Sequence, residues 1–146
     1  MYGEDLMYNL KALDKVKTIG YVDRIKYSYV MNGSSVTHKN FNKNSFDQVY
    51  FKDEVAEYIN QHFPKYADLG KKRAFLARLR IMRPLYGEGI EEHYKDEIGV
   101  LDSQMAEMYP SIMQQLSVKE KIEYRMYKYS KPLYKVFLKI VEKHRK

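Results

Sequence analysis

The residues of this chain best placed to do chemistry are two adjacent carboxylates, Glu4 and Asp5, which follow Gly3 and precede Leu6, Leu10 and Leu13. The helical spacing of those leucines puts the pair in the first turn of an amphipathic helix running from Glu4 to about Val16. Two roles are open to carboxylates in that position. They can simply cap the helix, whose dipole and free N–H groups stabilise each acid by about 0.3–1 kcal/mol. Alternatively, one is a general base, its backbone fixed by the helix and its oxygens turned to a cleft. Other polar clusters offer less. Glu91, Glu92 and His93 are consecutive and cannot all face one metal from a helix, and His62 and His144 lack partners at ligand spacing, so no metal site can be named. Gly87-Glu88-Gly89 lacks the preceding strand and the third glycine of a phosphate loop and reads as a turn.

The elements that must position the acids follow in order. Thr18 to Met31 alternates apolar and polar residues around Asp23-Arg24, which predicts a β-hairpin with Ile19, Tyr21, Tyr27 and Tyr29 on its buried face. Asn32-Gly33-Ser34-Ser35 is a loop by composition. Asn44-Ser45 can cap a second helix carrying Phe46, Val49, Tyr50, Val55, Tyr58 and Ile59, which Phe63-Pro64 interrupts. Ala67 to Met82 predicts a third, with Leu69, Phe75, Leu76 and Leu79 inward. Around it stand Lys71, Lys72, Arg73, Arg78, Arg80 and Arg83. These cations read as a solvated face, because the neighbouring aromatics fall at core-facing spacing and the acids at 88–97 offset them. Asp102 to Leu116 is a further helix, bent or broken near Pro110.

Read together, Gly3-Glu4-Asp5-Leu6, the first helix, the segments Thr18-Ile19-Gly20-Tyr21-Val22 and Ile25-Lys26-Tyr27-Ser28-Tyr29, and the Ser35-Val36-Thr37 turn resemble the C-terminal half of bacterial family 2 glycosyltransferases. The resemblance covers about a quarter of the chain. It implies that Asp5 is the base that deprotonates an acceptor hydroxyl, with Glu4 as its partner. Ser35 and Thr37 would border the active site, and His38 would stand at its rim on the acceptor or diphosphate side. The family's arginine after the second tyrosine is Val30 here, and no Asp-x-Asp metal motif occurs in the 146 residues. The resemblance therefore implies the back end of an enzyme of the GT-A type, inactive alone. It would complete a hexosyltransferase-like activity of cell-surface polysaccharide synthesis together with a missing N-terminal half or a full-length homologue. No cofactor is assigned to this chain, but a nucleotide-sugar and a divalent Mg or Mn ion are expected for the complete enzyme.

The end of the chain holds a different signal. Residues 1–118 carry 16 Lys+Arg and 16 Asp+Glu, whereas residues 119–146 carry 10 Lys+Arg and 3 Asp+Glu, a net of +7. Ser117-Val118-Lys119-Glu120 is a capping box, opening a helix with Val118, Ile122, Met126 and Tyr129 on one stripe. Ser130-Lys131-Pro132 opens the last helix, in which Leu133, Val136, Phe137, Ile140 and Val141 form an apolar stripe beside Lys131, Lys135, Lys139 and Lys143. Such a helix packs on its domain with its lysines in water, or lies on an anionic membrane. A partner protein could take the same surface. Nucleic acid fits least, because aromatics and lysines alternate at packing spacing and form no stacking platform.

Cysteine is absent, no secretion signal follows Met1, and no apolar run approaches the length that spans a bilayer. A cytoplasmic protein is expected, peripheral at the inner membrane face if the tail binds lipid. The expected fold is α+β and predominantly helical, a partial GT-A fold in which a short helix and hairpin precede about five helices. It divides into residues 1–38 (end of a catalytic domain), 39–116 (helical region) and 117–146 (basic amphipathic tail).

Overall fold

The computed structural model describes residues 4–24 and 41–143. Six α-helices account for most of them: α1 (Glu4–Lys15), α2 (Asp47–His62), α3 (Ala67–Gly87), α4 (Lys95–Ile112), α5 (Val118–Tyr129) and α6 (Lys131–Lys143). Of the described residues 85% are helical and none lies in a strand, so the fold is all-α. This corrects the α+β expectation and, with it, the partial GT-A fold. Residues 18–22, the first half of the expected hairpin, form neither strand nor helix, and Ile19, Tyr21 and Val22 are 74%, 86% and 63% exposed. Alternation makes a strand only where a neighbour takes up the backbone N–H and C=O groups and a core takes the apolar face. Among the described residues, nothing does either for 18–22. The expected second half, 25–31, lies outside the described residues.

Local chemistry sets most helix boundaries. Asn42, rather than Asn44, is the cap before α2: its Oδ1 accepts from the Asn44 N–H at 3.0 Å while Ser45 Oγ accepts from the Asn42 N–H at 3.2 Å. A 3-10 turn, Lys43–Phe46, then leads into the helix. Pro64 opens another such turn, Pro64–Tyr66, ahead of α3. The capping box at α5 forms as expected, with Glu120 Oε2 accepting from the Ser117 N–H at 2.8 Å and Ser117 Oγ accepting from the Glu120 N–H at 3.3 Å. Neither internal proline ends its helix. Pro84 sits inside α3 and Pro110 inside α4. A proline there forfeits one hydrogen bond and costs about 3 kcal/mol, but the turn beyond Pro84 buries Leu85 and Tyr86, each worth about 1.5–3 kcal/mol. Gly89, at φ +71°, then reverses the chain towards α4.

Helix α3 is the centre of the packing and contacts α2, α4 and α6. Phe75, Leu79, Met82 and Leu85 are fully buried along it. Its start lies very close to α2: a Cβ at Gly70 would stand 3.1 Å from Ala56 Cα, so only glycine fits without displacement. Met105 and Ile112 of α4, Tyr124 and Tyr127 of α5, and Tyr134 and Leu138 of α6 close the same core.

The inward face of α5 is not the aliphatic stripe. Val118, Ile122 and Tyr129 are exposed, while Glu123, Tyr124 and Tyr127 are buried. The reason is one of two ion ties made by α3. Arg83 Nε and Nη2 donate to Glu123 Oε1 and Oε2 at 2.6 and 2.7 Å, which draws the Glu123 face of α5 inward. Arg78, only 4% exposed, donates from Nη1 and Nη2 to Asp53 on α2, both at 2.7 Å, and from Nε to Gln104 on α4 at 2.9 Å. The expectation that the α3 cations form one solvated face thus fails for Arg78 and Arg83, which are structural cross-links.

Removing one partner of such a pair strands the other. Arg83→Met leaves the Glu123 carboxylate buried and unpaired, and is expected to lower unfolding free energy by about 3 kcal/mol. Arg83→Met combined with Glu123→Leu is expected to recover most of that loss, as chemical denaturation of the three proteins would show.

Candidate functional site

Helix α1 begins at Glu4, and the Asp5 carboxylate is exposed in its first turn, with Oδ1 accepting from the Leu6 N–H at 2.9 Å. Capping is therefore at least part of what Asp5 does. The helix itself is held to α2 through Asp14, whose Oδ2 accepts from the Tyr58 hydroxyl and lies 3.2 Å from His62 Nδ1. The rings of Tyr58 and His62 stack with centroids 4.1 Å apart. His62, which has no partner at metal-ligand spacing in the sequence, is thus a tether. Ser35, Thr37 and His38 lie outside the described residues.

The charge of Asp5 acts on one cation of a later helix, Lys52. Burial and the nearby Arg73 guanidinium hold the Lys52 ammonium below the usual lysine range; the Asp5 carboxylate pulls it upward and Arg80 adds to the lowering. Lys52 belongs to α2, and Arg73 and Arg80 stand seven residues apart on α3, two helical turns along one face. All three line a groove of about 820 Å³ between α2 and α3, with Lys72 as the fourth cation and, among the described residues, Glu88 as the only acid in its lining. The sequence contained one signal for this groove, the i, i+7 spacing of Arg73 and Arg80. The contribution of Lys52 depends on how α2 packs.

The four lysines of α6 separate into two pairs. Lys131 Nζ stands 3.3 Å from the centroid of the Tyr127 ring and 5.2 Å from that of Tyr86, and Lys135 pairs with Glu91. Both are used inside the fold. Lys139 and Lys143 are exposed. Phe137 is half-buried, its ring stacked on that of Tyr134. Leu133 and Val136, by contrast, are 59% and 53% exposed on the opposite side of α6 from the buried Tyr134 and Leu138.

Among the described residues, no group of three or more His, Asp or Glu side chains could hold a metal ion. The divalent ion expected of the complete enzyme does not fit these residues. No helix among them is long and apolar enough to cross a membrane.

Beneath α6 lies a tyrosine cluster. Tyr127 donates to Asp102, and the rings of Tyr86, Tyr127 and Tyr134 meet edge to face at 5.2–5.8 Å. Burial and the Asp102 charge push Tyr124 up to about 12. Burial and the hydrogen bond to Asp102 push Tyr127 up, and burial and the Glu123 charge do the same to Tyr134. Each phenol therefore keeps its proton in the fold at a pH where an unfolded tyrosine, at about 10, has begun to lose it. The stability this gives is complete below about pH 10 and is lost as pH rises through the folded-state values. Alkaline titration is expected to show a late rise in phenolate absorbance coincident with loss of helical circular dichroism. A rise completed while the helices persist would show these phenols to be accessible. Comparison of the chain with family models, with curated proteins and with solved structures returns no match.

Proposed function

We propose that this chain supplies the acceptor side of an inverting glycosyltransferase resembling family 2, with Asp5 as the base. The observation that carries the reading is the exposed Asp5 carboxylate, fixed at the opening turn of α1 and close enough to Lys52 for its charge to act there. In the reaction the acceptor O–H bond breaks and its proton passes to Asp5. The acceptor oxygen forms a bond to the anomeric carbon of a nucleotide-activated sugar as that carbon's bond to the diphosphate breaks, with inversion. The nucleoside diphosphate leaves with the electron pair. Glu4, which begins the same helix, is the adjoining carboxylate. The donor site and its Mg or Mn ion would be supplied by a donor-binding half or a full-length homologue.

The chain alone is expected to show no turnover with a nucleotide-sugar and manganese. Supplied with a donor-binding half, it is expected to become active, and Asp5→Asn to lower kcat by about 10²–10⁴-fold, the range of general-base catalysis, with helical content unchanged. Full activity in Asp5→Asn would overturn the assignment.

A second reading is favoured by the exposed Leu133 and Val136 beside Lys139 and Lys143. In it the chain is a non-catalytic helical module, and α5 and α6 dock on an anionic membrane at its cytoplasmic face, apolar side chains entering the interface and lysines meeting the head groups. Co-sedimentation with phosphatidylglycerol vesicles is expected to fall when Leu133 and Val136 are both changed to Ser, and to be indifferent to Asp5→Asn. Equal sedimentation of the double variant and the parent would exclude this docking face.

A further inference from the structure

Helix α3 carries two kinds of cation. Arg78 and Arg83 each meet a carboxylate of another helix, and those contacts hold the fold together. The groove between α2 and α3 gathers positive charge that the fold does not use in this way. Of its four cations, Lys72 is engaged, 3.3 Å from Glu120 Oε2 and donating to the Gln115 carbonyl at 2.9 Å. Lys52, Arg73 and Arg80 form no ion pair with any described carboxylate. They are close enough that the two guanidinium groups disfavour the charge on Lys52. Like charges held together in a concave site raise the energy of the empty groove, and an anion placed among them relieves it.

The shape of the groove narrows the ligand. About 820 Å³ is within the range of small-molecule sites. Two guanidinium forks suit phosphate oxygens bidentately, and a lysine adds a point charge. Three such cations exceed what one phosphate neutralises and suit two linked phosphates. Leu69, Leu76 and Ile81 supply apolar wall beside the charges, where the organic part of a ligand can lie.

We propose that the groove between α2 and α3 is a binding site for a diphosphate-bearing ligand, gripped by Arg73 and Arg80 of α3 and Lys52 of α2. The proposal stands on the groove alone and does not depend on glycosyl transfer. The diphosphate could come from a dissolved compound or from a lipid head group, and both present the same oxygens to the groove.

The test is calorimetric titration of the full chain with inorganic pyrophosphate and with orthophosphate, and co-sedimentation with phosphatidylcholine vesicles carrying a lipid diphosphate. Pyrophosphate is expected to bind in a one-to-one ratio and more tightly than orthophosphate. The Arg73→Gln/Arg80→Gln variant is expected to weaken it at least about tenfold, the loss of one charge-assisted hydrogen bond or more. Lys17→Gln/Lys65→Gln, equal in charge removed but outside the groove lining, is expected to change it less than about twofold. Circular dichroism of both variants should match the parent. Pyrophosphate binding lost in the arginine variant assigns a dissolved ligand; vesicle binding alone lost in that variant assigns a head group. Binding unaltered by the arginine changes, binding weakened equally by the lysine changes, or no binding to either probe would overturn the proposal.

Discussion

Glu123 is a carboxylate with 1% of its surface exposed, and its place in the core depends on Arg83. Taking a carboxylate out of water costs several kcal/mol, which only close, well-aligned opposite charge can offset. The bidentate contact meets that condition, and it also fixes which way α5 turns. With Glu123 directed at α3, Tyr124 and Tyr127 must follow it into the core, Val118 and Ile122 must face outward, and α6 must then cover the tyrosines. Arg78 does the corresponding work on the other side of α3, joining α2 through Asp53 and α4 through Gln104. Two arginines five positions apart thus orient four helices around a fifth.

Arg73 and Arg80 of α3 are set apart from that framework, whereas Lys72 is tied to Glu120 and the Gln115 carbonyl. The helix uses charge in two ways: inward, matched one to one with carboxylates, and toward the groove, where Arg73, Arg80 and Lys52 are left together. A surface evolved only for solubility would intersperse both signs. The lysines of α6 show the same division, because Lys131 on the Tyr127 ring and Lys135 on Glu91 belong to the packing, whereas Lys139 and Lys143 do not. The positive charge counted along the last 28 residues is therefore not a single surface.

What could be read from the sequence was local. The Ser117-Glu120 box, the stop at Phe63-Pro64 and the reversal around Gly89 each follow from a few adjacent residues, and each is found. The inward face of α5 was not legible, since periodicity ranks Val118 and Ile122 above Glu123, and the partner that reverses the order lies 40 residues away. Arg78 looks like any solvated arginine until Asp53 and Gln104 are beside it. The alternation at 18–22 is real, but a strand needs a neighbour, which the segment itself cannot reveal. Of the candidate site, Glu4 and Asp5 at the opening of α1 were legible; the groove cations were not, because Lys52 comes from α2 and Arg73 and Arg80 from α3.

Pro84 gives the groove a further property. Proline has no N–H, so the Arg80 carbonyl one turn earlier lacks the intrahelical donor it would otherwise have. Both residues line the groove. The same stretch of α3 that carries Arg73 and Arg80 therefore also holds a backbone carbonyl without its intrahelical donor. A ligand bearing a hydroxyl or amide hydrogen beside its negative charge can satisfy both, whereas a bare inorganic anion leaves the carbonyl to water. If the groove takes such a ligand, the main chain at Pro84 supplies an acceptor that a simple salt ion does not use.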